Sequence, residues 1–214
     1  MIRNEQPTDH RRVEEITREA FWNLYRPGCD EHFIVHAMRG HTDYIPELAF
    51  VIEHEGAVAG SIVYTRSKIA GENGEATEVV TFGPVGIVPE LQAKGLGRAL
   101  IEHSLAAARE AGYRAVVIGG YPACYRKYGF AGAKKYGISM PDGRFYTGIQ
   151  ALPLYEGALD GVRGTLLFSE VFVTDEETVE RFDAGFPPKE KQFQESQAAF
   201  QRAAAEIDPQ TYGG

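Results

Sequence analysis

Cysteine is scarce in this chain: 214 residues contain two, Cys29 and Cys124. Two thiols build neither a disulfide framework nor a cysteine-rich zinc site. Basic residues are also in deficit. Lys and Arg number 22 against 30 Asp and Glu, a net charge of −8, which argues against a surface shaped to neutralise nucleic-acid phosphates. No apolar run reaches the roughly 18 residues a spanning helix needs, so no membrane partner is expected. The start, MIRNEQPTDH, lacks a basic region followed by an apolar run and is not expected to be a signal peptide. Internal repeats and low-complexity tracts are missing too. A soluble cytoplasmic protein is expected, whose acidic field favours cationic partners such as amines.

What is present is ordinary globular material. Hydrophobic residues make up 43%, enough in a chain this long to bury a core without staples. Thr8-Asp9 offers a helix N-cap, followed by Val13, Ile16 and Ala20 at helical spacing. Arg26-Pro27-Gly28 ends that helix, and Asp30 caps a second one to about Arg39. Strands are expected at Leu48–Glu53, Ala57–Lys68 and Glu78–Val88, with turns at His54-Glu55-Gly56 and Gly71–Gly74. A helix from Gly97 to Ala111 and a buried strand at Ala115–Ile118 complete a strand–helix–strand unit with a parallel pair. Further strands are expected near Tyr136–Ser139, Thr147–Leu152 and Thr165–Val173. Helices should follow at Asp175–Phe182 and Lys189–Ile207.

The informative stretch is Val85-Gly86-Ile87-Val88-Pro89-Glu90-Leu91-Gln92-Ala93-Lys94-Gly95-Leu96-Gly97-Arg98. Pro89 ends the strand, and Gly95 and Gly97 stand just before a helix whose N-terminus presents unbonded N–H groups. Bare backbone there admits a pyrophosphate, and Lys94 and Arg98 add positive charge. A dinucleotide fingerprint would need a third Gly where Leu100 stands. An NTPase phosphate loop would need Gly-Lys-Ser/Thr where Gly97-Arg98-Ala99 stands.

Gln92-Ala93-Lys94-Gly95-Leu96-Gly97, after a strand ending in Val-Pro, resembles the acetyl-CoA pyrophosphate loop of the GNAT N-acetyltransferase superfamily. Tyr121-Pro122-Ala123-Cys124-Tyr125-Arg126-Lys127-Tyr128-Gly129-Phe130 is similar to the same family's second block, with a Tyr four residues before Gly-Phe. Leu154 to Phe172, containing Glu156-Gly157-Ala158-Leu159-Asp160-Gly161, is similar to the tail of the YhbS-like subfamily of small acetyltransferases. The resemblance covers residues 1–173. Residues 174–214 are then expected to form a C-terminal helical extension.

The resemblance implies an α/β (α+β) GNAT fold, a mixed and mostly antiparallel sheet with one splayed parallel strand pair. It implies acetyl-CoA as co-substrate, no metal, and direct attack by an amine acceptor with no acyl-enzyme. Tyr125 matches the thiol-facing Tyr of the family, a phenol able to protonate a leaving thiolate. Pantetheine would lie along Gly86-Ile87-Val88, with the backbone amides of Ile87 and Val88 facing it. Gln92, Ala93, Lys94, Gly95, Leu96, Gly97 and Arg98 would hold the pyrophosphate. Pro84 in mid-strand fits a bulge that re-aims this edge. The family sometimes carries a carboxylate base on this strand, which makes Glu78 a candidate, sharing a face with Val80 and Phe82 by alternation. Glu170 is a second candidate, and a water relay would leave no trace in sequence. A GNAT-like acyl-CoA-binding module without turnover is the alternative reading.

His32 and His36 have metal-ligand spacing on a helix, but no third ligand accompanies them, and surface positions are expected for both. Cys124 is expected to be a small buried residue. Phe193, Phe200, Ala204 and Ile207 form a helical stripe expected to dock on its own domain or on a second copy, as in a homodimer.

Overall fold

Alternating apolar residues along two long strands build the centre of the molecule. The computed structural model describes residues 1–72 and 74–211. Strands β3 (Ala57–Ala70) and β4 (Ala76–Ile87) pair antiparallel along almost their whole length. On one side β2 (Phe50–His54) and β1 (Ile2–Asn4) extend the sheet. On the other side follow β5 (Ala115–Gly119), β8 (Ile149–Pro153) and the short β6 (Ala131–Gly132). Short β9 (Gly164–Leu167) pairs with the far end of β3 and runs parallel to β7 (Ile138–Ser139). Most pairings are antiparallel, while β4 and β5 run parallel.

The period of two splits this sheet into two apolar faces. Ile62 and Tyr64 of β3 and Val80 and Phe82 of β4 pack with Leu100, Ile101 and Leu105 of α3 (Leu96–Glu110). Val51 and Val63 point the other way, against Val13 of α1 (His10–Phe21) and Val35 and Met38 of α2 (Glu31–Met38). Full burial of each large aliphatic contributes about 1.5–3 kcal/mol. The Tyr64 hydroxyl, inside this core, is satisfied by Ser104 Oγ at 2.9 Å. Gly164 lets β9 close on β3: a Cβ there would lie 2.0 Å from the Ala70 carbonyl oxygen.

Several local expectations are corrected by tertiary contacts. Asp9 does not cap α1 with its side chain. Its carboxylate accepts from Arg3 at 2.6 Å and from the Gln6 N–H at 2.8 Å. Asp30 likewise makes no side-chain cap on α2, because Arg26 (3.1 Å) and Thr174 Oγ1 (2.9 Å) occupy its carboxylate. The strand expected to reach Val173 stops at Leu167, and Glu170–Phe172 turn as a 3-10 helix. The turn at Gly71–Gly74 includes Asn73, which lies outside the described residues. Its ends are joined by the Gly71 N–H to the Glu75 carbonyl at 2.8 Å.

The tail folds back on the chain. Helix α5 (Glu176–Asp183) is capped by Asp175, which accepts from the Thr178 N–H at 2.8 Å. Asp183 then accepts from Arg18 Nε at 2.6 Å. Helix α6 (Glu195–Ala205) starts later than the apolar stripe predicts, so Phe193 precedes it and is 72% exposed. Ile207, the other end of the stripe, is beyond α6 and half exposed. The buried anchor of α6 is polar: Gln197 Nε2 donates to the Asn23 carbonyl at 2.9 Å. His32 is fully buried rather than on a surface, between Cys29 Sγ (3.4 Å) and Asp183 (3.0 Å), whereas His36 is exposed. Burial lowers the His32 pKa, keeping the ring neutral.

Candidate active site

The parallel strands β4 and β5 share a single register pair, Val80↔Val116, and then diverge. Beyond that point β4 still bonds to β3 on one edge and leaves its other edge open. A bulge occurs in this stretch, because the register with β3 shifts between Ile62↔Val85 and Tyr64↔Phe82. Gly83-Pro84 lies there, where proline removes a ladder donor and re-aims the strand, as its mid-strand position predicts. The Val88 N–H donates to the Ala59 carbonyl at 2.9 Å. It is therefore unavailable to a ligand in the opening, a correction to the expected pair of amides. Antiparallel hydrogen bonding alternates, so Ile87 and Val85 turn their backbone groups to the open edge.

At the end of this opening lies the glycine-rich turn. Pro89–Leu91 form a 3-10 turn, and Gln92 Nε2 donates to the Ile87 carbonyl at 3.1 Å, tying the loop to its strand. Gly95 precedes α3 with φ of 90°, a left-handed conformation that favours glycine. The first N–H groups of α3, at Leu96, Gly97 and Arg98, have no intrahelical acceptor and carry the positive end of the helix dipole. Ala93, Lys94, Gly95 and Arg98 are exposed around them. A Cβ on Gly97 would lie 3.6 Å from Ile87 Cγ1, so the backbone is bare without being crowded. Arg98 already pairs with Glu102 at 2.7 Å, leaving Lys94 as the more available cation. This open, amide-rich cradle fits a pyrophosphate.

Tyr125 stands at the other end of the opening. Helix α4 (Pro122–Tyr125) is one turn long and passes into a 3-10 turn over Arg126–Tyr128, closed by Gly129 at φ of 95°. The Tyr125 ring packs on Phe82 and Phe130, with centroids 5.9 and 5.8 Å away. It also lies over Gly120, where a Cβ would approach Cε2 to 2.5 Å. Burial and the nearby Tyr25 push its pKa up to about 12, so the phenol keeps its proton at neutral pH.

Tyr125 lines a cavity of about 420 Å³ together with the β4 bulge, the turn at Gly119–Tyr121 and the α1–α2 segment. Glu31, the first residue of α2, is part of that lining, and no sequence motif marks it. An acidic residue in a helix first turn is ordinarily explained by the dipole alone, and nothing local places Glu31 across from Tyr125. Burial, followed by repulsion from Asp30, pushes its pKa up to about 7. Phe200 of α6 lines the same cavity, stacked on Tyr25. A second space of about 780 Å³ adjoins it past Tyr121 and Phe200, between α6 and residues 140–149.

Glu78 is not brought to this cavity. It sits near the start of β4, paired in register with Lys68, its side chain 54% exposed and 4.0 Å from Arg66. Glu170 is exposed in its 3-10 turn and does not line the cavity. Cys124 is exposed rather than buried and lies on the cavity wall. Among the described residues, no group of His, Cys, Asp and Glu is arranged to hold a metal ion, and no helix is long and apolar enough to cross a membrane.

A splayed parallel pair, an amide-rich helix start after the first strand and a tyrosine at the far end define a class of acyl-transfer scaffold. The family model for Acetyltransferase (GNAT) matches residues 14–130, and the chain belongs to that family. It is 28% identical over 173 residues to the uncharacterized N-acetyltransferase YhbS of Escherichia coli strain K12, covering 80% of this chain and 98% of that protein. The crystal structure of Escherichia coli YhbS in complex with CoA is similar with a TM-score of 0.71 and 27% identity, covering 81% of this chain and 92% of that one. A GNAT family acetyltransferase from Brucella melitensis, solved with acetyl-CoA, has a TM-score of 0.65 and 27% identity, covering 80% and 97%.

Proposed function

We propose that this protein moves an acetyl group from acetyl-CoA to a primary amine by direct attack, with Tyr125 as the proton donor to the departing sulfur. The observation that carries this reading is the placement of Tyr125. It lines one cavity with the β4 bulge, at the opposite end of the β4–β5 opening from the glycine-rich helix start. The CoA complexes of the two similar acetyltransferases support the same cofactor here. When bound, acetyl-CoA supplies a thioester whose carbonyl accepts the amine.

The chain's own groups have distinct tasks in this scheme. The N–H groups at Leu96, Gly97 and Arg98, with Lys94, hold the pyrophosphate. The open edge at Val85 and Ile87 orients the pantetheine arm by strand-like hydrogen bonds. The raised pKa of Tyr125 keeps a proton ready for the thiolate. Residues 1–173 form the transferase body, and the extension after residue 173 closes the acceptor side through Phe200. No residue is needed as a covalent nucleophile. The exposed Cys124 is not assigned that part, and Cys29 is buried with its pKa raised by burial.

Two measurements test this. Acetyl-CoA at a hundredfold excess over its Kd should stabilise the fold by about 2.7 kcal/mol, with ATP and NAD doing much less. Thiol release should then depend on an added amine. Binding without release across amines of every class would favour an acyl-CoA sensor and overturn the transfer reading. No stabilisation at all would overturn the assignment of the loop.

A further inference from the structure

The cavity before Tyr125 is lined mainly by rings. Phe21 and Tyr25 come from α1 and its following turn, Phe82 from β4, Phe168 and Phe172 from the segment after β9, and Phe200 from α6. Against this apolar wall stands one carboxylate, Glu31, and among the described residues lining the cavity there is no Lys, Arg, His or Asp. We propose that the acceptor is a primary monoamine with an aromatic or branched alkyl body and no carboxylate, and that Glu31 holds its ammonium group and removes its proton. This rests on the acetyl-transfer reading above.

The lining excludes other amine classes by charge. An amino acid would bring a carboxylate into a cavity without a cation to meet it, and unpaired buried charge is strongly unfavourable. A polyamine would bring further ammonium groups, for which this cavity offers Glu31 alone; Asp142 and Glu206 line the adjoining space beyond Tyr121 and Phe200. A monoamine leaves nothing unpaired: its cation meets Glu31 and the faces of the surrounding rings, and its body takes the apolar wall. The volume, about 420 Å³, suits a small molecule rather than a protein side of an interface.

Glu31 is built for the proton as well. Its Oε2 accepts from the Asp30 N–H at 3.2 Å, which orients the carboxylate at the start of α2 and leaves acceptor capacity on the group. Asp30 beside it is engaged by Arg26 and Thr174. The other titratable groups around Glu31 are Tyr25 and Cys29 from the preceding turn and Tyr121, Cys124 and Tyr125 across the cavity. Burial pushes the pKa values of Tyr25, Cys29 and Tyr125 up, so these three keep their protons at pH 7 and do not compete for the ammonium proton. A carboxylate held near pH 7 is matched to that transfer.

The ammonium gives one proton to Glu31, and the neutral nitrogen forms the N–C bond to the acetyl carbon. The C–S bond breaks, the sulfur takes the Tyr125 proton, and the nitrogen's surplus proton returns to Tyr125 as the amide forms. Glu31 releases its proton to solvent, giving amide, free thiol and one proton.

The test compares phenethylamine, isoamylamine, spermidine and L-phenylalanine in thiol release, with wild type, Glu31→Gln and Glu31→Asp. Phenethylamine and isoamylamine should exceed spermidine and L-phenylalanine in kcat/KM by at least about tenfold. Glu31→Gln should lower kcat/KM about a hundredfold and erase the rate limb near pH 7, with Glu31→Asp restoring part of both and calorimetric acetyl-CoA binding unchanged. Preference for spermidine or L-phenylalanine, or a wild-type pH profile in Glu31→Gln, would overturn this inference and leave acetyl transfer standing. Acetyl-CoA binding without turnover on any of the four would instead overturn the transfer reading itself.

Discussion

Tyr25 and Phe200 stack with ring centroids 4.2 Å apart and planes 29° from parallel. One ring follows α1 and the other belongs to α6, so the C-terminal extension and the α1–α2 segment close one wall of the cavity between them. Phe200 also meets the edge of Tyr121, at 6.0 Å. The extension is thereby joined to the proposed acceptor site while standing apart from the glycine-rich loop.

Phe200→Ala should therefore raise the acceptor KM and leave acetyl-CoA affinity unchanged. An aromatic pair contributes about 0.5–1.5 kcal/mol beyond its buried area, so a stability loss of about 1–2 kcal/mol is expected. Calorimetry for the cofactor and steady-state kinetics for the acceptor separate the two effects. Truncation after Pro187 should reproduce the KM effect with a larger fall in Tm. Unchanged kinetics in both variants would remove α6 from the site.

Tyr125→Phe keeps the ring that packs on Phe82 and Phe130 and removes only the hydroxyl. A single acid–base group contributes roughly 10²–10⁴-fold, so kcat should fall by about 10² or more with little change in cofactor affinity or Tm. Equal single-turnover rates for the two proteins would exclude a role for the hydroxyl in the chemistry.

Gly97 has room for a Cβ, 3.6 Å from Ile87 Cγ1, and its φ is not in the left-handed region. Gly97→Val should therefore fold with a nearly normal Tm. Its branched side chain would stand at the proposed pyrophosphate site on the α3 amides, weakening acetyl-CoA by calorimetry by at least about tenfold, or 1.4 kcal/mol. Cofactor affinity unchanged in the folded variant would place the phosphates elsewhere.

The stability of the protein should carry the signature of Glu31. Its pKa is raised from 4.5 to about 7 by burial and by Asp30, so the folded state holds the proton more tightly than the unfolded state. This contribution is complete below about pH 4.5 and is lost as pH rises through about 7. Glu31→Gln removes it. The variant should exceed wild type in denaturant midpoint at pH 8, and that gap should shrink toward pH 5. A gap that does not change with pH would show that Glu31 titrates as an ordinary surface carboxylate.

Local, contiguous chemistry was legible without coordinates. The order Val-Pro, Gln92, Gly95, Gly97 implied a strand, a tight turn and a helix start. The chain builds these because proline cannot continue the ladder and Gly95 adopts a positive φ. Pro84 marked a bulge and Gly129-Phe130 marked the block containing Tyr125, each through a backbone restriction carried by the residue itself. Which polar groups remain free was not legible. Val88 and Ile87 look alike in sequence, and only the register with β3 assigns the Val88 N–H to Ala59. Alternation correctly put Glu78 on a face with Phe82, but distance along the strand, rather than face, keeps it from the cavity. Glu31, Tyr25 and Phe200 carry no mutual signal because each belongs to a different segment. They meet only after α1, α2 and α6 have packed, and long-range packing of that kind, not local propensity, decided this wall of the cavity.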